Sequence, residues 1–209
     1  MSTKGKAVRR NVNPDREIRL SRIANAAETI GPIVPGIDVY ALTFGQFDLA
    51  DVLEHLLDSV GEAEVTLATW TAARADLDRA EVFIKDSRIK KLRFIVDRSF
   101  PTRQPGYYAQ LIEKFGQSSV VLIRSHCKFM LIQGGDYRIT VRTSANLNAN
   151  KRLENIEITD DPALYDFMSD IADSIFDAGN SEAIPDLKGI PAVEPIPQIK
   201  TGGTIRVGR

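Results

Sequence analysis

From residue 37 onward, apolar and polar positions switch repeatedly between a period of two and a period near 3.6. IDVYALTF, EVTLATW, KLRFIVD and SVVLIRS carry strand-like runs of β-branched and aromatic residues. Between them, DLADVLEHLLDSV places Leu49, Val52, Leu53, Leu56 and Leu57 on one helical face, and ADLDRAEVFIKD and YYAQLIEKF repeat that spacing. Such alternation predicts an α/β domain with a largely parallel sheet flanked by helices. The pattern changes at KFMLIQGGDYRITVRTS, where two β-rich runs flank Gly134-Gly135 and predict an antiparallel hairpin. A further strand, NIEIT, leads into an amphipathic helix, DPALYDFMSDIADSIFDAG, started by Asp161 and Pro162 and closed by Gly179.

The two ends lack this rhythm. Residues 1–12 read as disordered, and Asn13-Pro14 offers a cap and first turn for a short helix carrying Ile18, Leu20, Ile23 and Ala24. After about residue 181 the chain holds Pro185, Pro191, Pro195 and Pro197 without periodicity. The expected organisation is therefore a basic arm with a short helix over 1–30, one folded domain over 31–180, and an extended proline-rich tail over 181–209.

Composition narrows the class. The chain has 209 residues, 43% of them hydrophobic, enough for a sizeable core. No apolar stretch approaches the roughly 18 to 20 residues of a membrane helix, and the N-terminus has no secretory apolar segment, so a cytoplasmic protein with no membrane partner is expected. A single cysteine, Cys127, rules out an internal disulfide framework, and two histidines with no CxxC pair argue against a zinc site. No metal and no cofactor is expected. Cys127 itself reads as a small buried apolar residue. The net charge of −1 conceals an asymmetry. Lys4, Lys6, Arg9, Arg10, Arg16, Arg19 and Arg22 face only Asp15 and Glu17, which makes the arm a candidate contact for nucleic-acid phosphates. Lys85, Arg88, Lys90, Lys91 and Arg93 form a second basic cluster, read as a solvated helix end.

The chemistry concentrates in RSHCKFMLI. Strand alternation would project His126, Lys128 and Met130 to one side, opposite Cys127, Phe129 and Leu131. A histidine can act as a nucleophile toward phosphorus while a neighbouring cation neutralises the phosphoryl oxygens. Beyond the hairpin, Ser144 and Asn146 share a face and supply a hydroxyl and an amide for phosphate oxygens. Glu157, between Ile156 and Ile158, is a carboxylate that needs a partner, and an imidazole would serve. Together these residues make a candidate phosphoryl-transfer site free of metal. Trp70 and Thr71 close a strand at the same sheet edge.

HCK, the hairpin, TSANLN and ENIE, in that order over roughly residues 37–178, resemble the phospholipase D superfamily, in particular its small nuclease members with one motif per chain. The resemblance implies that His126 forms a phosphohistidine, that Lys128, Ser144 and Asn146 bind the phosphate, and that Glu157 orients His126. It departs at Gln133, where the family carries aspartate, with Asp136 a candidate for that supporting role, and at Thr143, where glycine is usual. One motif supplies one histidine, whereas the family's mechanism uses two. His55 sits on the polar side of a helix and reads as a surface residue, so the resemblance implies a homodimer with the site at its interface. The expected activity is metal-independent cleavage of nucleic acid, DNA favoured over RNA. The alternatives are an inactive nucleic-acid-binding module and a lipid hydrolase.

Overall fold

The computed structural model describes residues 15–21, 25–147 and 151–178. One eight-stranded sheet organises them, built from β1 (Glu17–Leu20), β2 (Asp38–Thr43), β3 (Ala63–Thr69), β4 (Ile89–Asp97), β5 (Val120–Ile123), β6 (Phe129–Gly134), β7 (Tyr137–Thr143) and β8 (Glu154–Asp160). The strand order is β1-β2-β8-β7-β6-β3-β4-β5. The β1–β2, β3–β4 and β4–β5 pairs are parallel. The run from β2 through β8, β7 and β6 to β3 is antiparallel throughout. The sheet is flanked by helices and carries the hairpin, as the hydrophobic pattern predicts, but it is not largely parallel: four of its seven strand pairs are antiparallel, because the β6–β7 hairpin and β8 insert between β2 and β3.

The helices are α1 (Ala26–Ile30), α2 (Leu49–Val60), α3 (Arg74–Lys85), α4 (Phe100–Arg103), α5 (Pro105–Phe115) and α6 (Pro162–Ala178). The apolar faces of α1, α2, α3 and α5 pack on one side of the sheet around Leu53, Leu56, Leu67, Phe94, Met130 and Ile158. Asp48 starts α2 with a reciprocal capping box: its carboxylate accepts from Asp51 N–H, and the Asp51 side chain accepts from Asp48 N–H. On the other side α6 alone covers Ala68, Ile95, Val121 and Leu131, with Tyr165 and Ala172 turned inward. Asp161 caps α6 by accepting from Ala163 and Leu164 N–H at 2.9 and 3.2 Å.

Between β6 and β7 the tight turn is Gly135-Asp136, because Gly134 is still paired with Tyr137. Gly135 takes a left-handed φ of 54°. Gly134 is glycine for another reason: a Cβ there would lie 2.6 Å from the Glu62 carbonyl oxygen, where β6 crosses the entry to β3.

The helix expected near residues 14–24 is absent in its described part. Glu17–Leu20 is instead an edge strand, in register with Val39–Leu42 of β2, and the helix starts later, with Asn25 as its cap. Ile18 is 79% exposed and Leu20 50% exposed, so helical burial had nothing to offer them, while β2 had an unpaired edge. The expected disorder of residues 1–12 and the proline-rich segment 181–209 lie outside the described residues. Among the described residues no helix is long and apolar enough to cross a membrane.

Candidate active site

Every residue proposed for chemistry, with one exception, lies at a single end of the sheet. There β2, β3, β4, β5 and β7 finish and β6 and β8 begin, as the registers Thr43↔Glu154, Thr143↔Ile156, Ala68↔Phe129 and Asp97↔Ile123 require. Ligand sites of α/β proteins form at such carboxyl ends because the loops there are free of ladder constraints.

His126 and Lys128 are not in a strand. β5 stops at Ile123 and β6 starts at Phe129, so both belong to a connecting loop. Asp97, 8% exposed at the end of β4, organises that loop: one carboxylate oxygen accepts from the Ser99 N–H and hydroxyl, and the other accepts from Ser125 N–H at 3.2 Å. Burial disfavours the Asp97 charge, but these donors and the nearby Arg103 outweigh it and hold the carboxyl below its ordinary pKa. Ser125 Oγ in turn accepts from Cys127 N–H at 3.0 Å. Cys127 is exposed, against the expectation of burial, because a loop has no obligatory inward face.

The exposed His126 ring lies against Trp70, with ring centroids 5.8 Å apart. Arg103 stacks on the same indole, its guanidinium carbon 3.7 Å from the ring centroid, and donates to the Trp70 carbonyl at 2.8 Å. The Lys128 ammonium is 3.3 Å from the His126 carbonyl oxygen, to which it donates. His126 and Lys128 thus come from one short loop pinned at Asp97.

Ser144 and Asn146 follow β7, also in a loop rather than on a shared strand face. Thr143, the residue in place of glycine, folds that loop: its hydroxyl donates to the Asn155 carbonyl at 2.7 Å and accepts from Ala145 N–H at 2.9 Å. Thr69 Oγ1 accepts from Leu147 N–H at 3.3 Å, tying the loop to the end of β3. The Asn146 amide oxygen is buried without a hydrogen-bond partner. It lines a cleft with Thr43, Gly45, Asp48, Ala145 and Glu154. The oxygen of that amide can accept from a donor such as water, whereas its NH₂ group is the part able to donate to a phosphate oxygen.

The exception is Glu157. Its carboxylate, 13% exposed, is 2.6 Å from both Arg16 Nη2 and Arg142 Nη2, and Arg16 also contacts Asp38 at 2.9 Å. Glu157 is paired with Arg142, and Arg142 with Phe129, so all three share the α6 face of the sheet. Met130 points to the opposite face, which the alternation gave to His126 and Lys128. The carboxylate with the right address is Glu154, at the first position of β8, whose side chain accepts from the Ser144 hydroxyl while Ser144 Oγ accepts from Asn155 N–H at 3.0 Å. Nothing in the resemblance singles out Glu154. Its signal was parity: three residues from Glu157, it must face the other way.

Behind the cleft, Asp48 and Asp76 are close enough to hydrogen-bond. Burial, then the negative charge of Asp48, pushes the Asp76 carboxyl up to about 6, and burial raises Asp48 as well, with Arg79 opposing both shifts.

Of the basic arm, Arg16 and Arg19 are described and both are engaged within the fold, Arg16 as above and Arg19 with Glu17 and the Thr29 carbonyl. Lys4, Lys6, Arg9, Arg10 and Arg22 lie outside the described residues. In the second basic cluster each residue has an acidic partner, including Arg88 with Asp58 at 2.5 Å, Lys90 with Glu62 at 2.8 Å and Arg93 with Asp173 at 2.6 Å. His55 is half-buried rather than on the surface, its Nε2 2.8 Å from the Gly31 carbonyl oxygen. Among the described residues no group of three or more His, Cys, Asp and Glu is placed to hold a metal ion.

No family model and no curated protein sequence matches the chain. Solved structures do. NucT from Helicobacter pylori superimposes with a TM-score of 0.50 at 19% identity, over 68% of this chain and 98% of that one. The chain has a phospholipase D-like fold. Two further neighbours are the phospholipase D family member Nuc from Salmonella typhimurium, at TM-score 0.41 and 13% identity over 60% of this chain and 88% of that one, and the phosphatidylserine synthase of Haemophilus influenzae, at 0.47 and 17% over 67% and 38%. At 19% identity the likeness to NucT shows the fold alone, and the chemistry rests on the residues themselves.

Proposed function

We propose that the chain is a phosphodiesterase that cleaves nucleic acid, DNA in preference to RNA, through a phosphohistidine and without a metal. The observation that carries this reading is the convergence of His126, Lys128, Ser144, Asn146 and Glu154 at one end of the sheet, on loops anchored by Asp97 and Thr143. An imidazole nitrogen of His126 attacks phosphorus, a P–N bond forms, and the P–O bond to the leaving alcohol breaks. Lys128 and the Asn146 side-chain NH₂ donate to the phosphoryl oxygens as charge builds on them, and the Ser144 hydroxyl joins them by turning its proton from Glu154. Water then attacks phosphorus, the P–N bond breaks and the imidazole is restored.

The leaving oxygen needs a proton, and His55 is committed to the Gly31 carbonyl. A second copy of His126 is the donor in this reading, which makes the working unit a twofold homodimer with the site between its subunits. Support for nucleic acid comes from the charge distribution treated below.

The test is incubation of labelled DNA, RNA and phosphatidylcholine with the protein in excess chelator. DNA cleavage that persists in EDTA and is lost in His126→Ala is expected. Cleavage that requires added Mg²⁺ overturns the mechanism. Binding without turnover makes the chain a nucleic-acid-binding module, and turnover of phosphatidylcholine alone makes it a lipid hydrolase.

A further inference from the structure

The described basic residues divide by where they stand. Away from the site end they are neutralised by neighbours: Lys85 by Glu81 at 2.5 Å, Lys90 by Glu62, Arg93 by Asp173, Arg138 by Asp166 at 2.8 Å and Lys114 by Asp78 at 3.0 Å. Arg98, Arg103, Arg124, Lys128, Lys151 and Arg152 have no acidic group within ion-pair distance among the described residues, and all six lie at the site end. Arg98 follows β4 and donates its N–H to the Ile123 carbonyl at 2.7 Å, which sets it beside Arg124 at the end of β5. Arg103 is fixed over Trp70. Lys151 and Arg152 lead into β8. All but Lys128 are exposed.

The carboxylates at this end do not compensate. Asp97 is buried, bonded to Ser99 and Ser125 and offset in part by Arg103, Glu154 is engaged by Ser144, and Asp48 is paired with Arg79. A chain of net charge −1 therefore presents a directional positive field at its site. The strand order puts Arg98 and Arg124 to one side of the His126 loop and Lys151 and Arg152 to the other. From β8 to β5 there are five strand spacings of about 4.8 Å, roughly 24 Å in all. That distance accommodates about seven phosphates of one strand at 3.4 Å rise each.

We propose that Arg98, Arg103 and Arg124 on one flank, and Lys151 and Arg152 on the other, form the backbone track of a nucleic-acid strand whose reacting phosphate lies at His126. The track deepens the phosphodiesterase reading and rests on it for the position of the reacting phosphate. It adds a nucleic-acid contact at the rim of the site itself to the one expected of the arm, whose described arginines, Arg16 and Arg19, are spent on internal partners. Phosphate contacts of this kind position the strand without reading sequence.

The experiment uses the full chain, in a triple variant Arg98→Gln, Arg124→Gln, Arg152→Gln and a control variant Lys85→Gln, Lys90→Gln. Three readings are taken: the slope of log affinity against log salt for a labelled oligonucleotide, hydrolysis of bis(p-nitrophenyl) phosphate, and thermal unfolding. Each lost phosphate contact flattens the slope by about 0.7 to 0.9, so the triple variant should lose about 2 units and the control almost none. Hydrolysis of the small diester should be the same in all three proteins, since it has no strand to follow. An unchanged slope in a folded triple variant overturns the track, as does equal flattening in the control. Affinity for phosphatidylserine vesicles that falls in the triple variant while the oligonucleotide slope stays fixed also overturns it. Wild-type protein that fails to hydrolyse the diester, yet shows the slope change, overturns the catalytic reading and leaves the track standing.

Discussion

At the end of the sheet where β6 begins, Arg98, Arg124 and Arg152 have no ion partner among the described residues, whereas at the end where β4 begins Lys90 is met by Glu62 and Lys91 approaches Glu64 at 4.0 Å. The two ends use similar residues. What separates them is whether a carboxylate answers each cation. Exposed pairs contribute little to stability, so the answered end is arranged mainly to cancel its own field. The unanswered end keeps its field at the cost of repulsion between its cations, a cost that an incoming polyanion removes. The same contrast holds for the two glutamates of β8: Glu157 is held between arginines on the α6 face, and Glu154 opens onto the cleft.

The largest expected effect comes from the nucleophile. His126→Ala should lower phosphodiester turnover by about 10³-fold or more, while Lys90→Ala at the opposite end changes it less than about twofold; steady-state rates on a labelled oligonucleotide check this. The second contrast is within β8. Glu154→Gln should reduce kcat by about 10²-fold with an unchanged melting temperature. Glu157→Gln should leave kcat nearly intact but destabilise the fold by about 1–3 kcal/mol, because Arg16 and Arg142 lose their shared counterion. Kinetics and thermal melts of the two variants side by side decide whether the roles are as assigned, and the reverse pattern would restore Glu157 to the site.

Asp97→Asn tests the anchor of the His126 loop. The substitution weakens the acceptor for Ser99 and Ser125 and should lower turnover about tenfold. Increased amide hydrogen exchange confined to residues 124–128 is the accompanying signature, and uniform exchange across the sheet would instead mean general destabilisation.

The smallest effect concerns pH. The Asp76 carboxyl is raised from 3.8 to about 6 in the folded protein, so between those values the native state holds a proton that the unfolded chain has released. Stability should therefore fall as pH rises through that window and level off above about 6. Asp76→Asn should be the more stable protein at pH 7 and lose that advantage as pH falls toward 4. Urea unfolding at intervals between pH 4 and 7 provides the measurement.

Much of this architecture was legible because strands and helices differ in period. β2 through β8, and α2, α3, α5 and α6, follow from where apolar residues recur. β1 was not legible: four residues have no period of their own, and their strand exists because the edge of β2 accepts it. At the site, His126, Lys128, Ser144 and Asn146 stood out because polar groups clustered at strand ends have few structural duties. The error at Glu157 came from weighing burial cost without parity. The expected burial of Cys127 rests on strand alternation across residues 124–128, where the backbone makes no ladder and the side chain is exposed. The unanswered cations were beyond reach of the sequence, since ion pairing such as Arg93 with Asp173 joins residues eighty positions apart.

The order of strands also governs when the site can exist. β2 is among the first strands made, yet its inner partner is β8, the last, and β8 brings Glu154 with it. A chain still being synthesised can assemble β3, β4, β5 and the β6–β7 hairpin, with His126 in place, while the edges of β2 and β7 wait for a strand not yet emerged. Competence is thereby deferred until the final strand closes the gap. A product cut short before β8 would carry His126 and Lys128 but lack Glu154, the partner of Ser144.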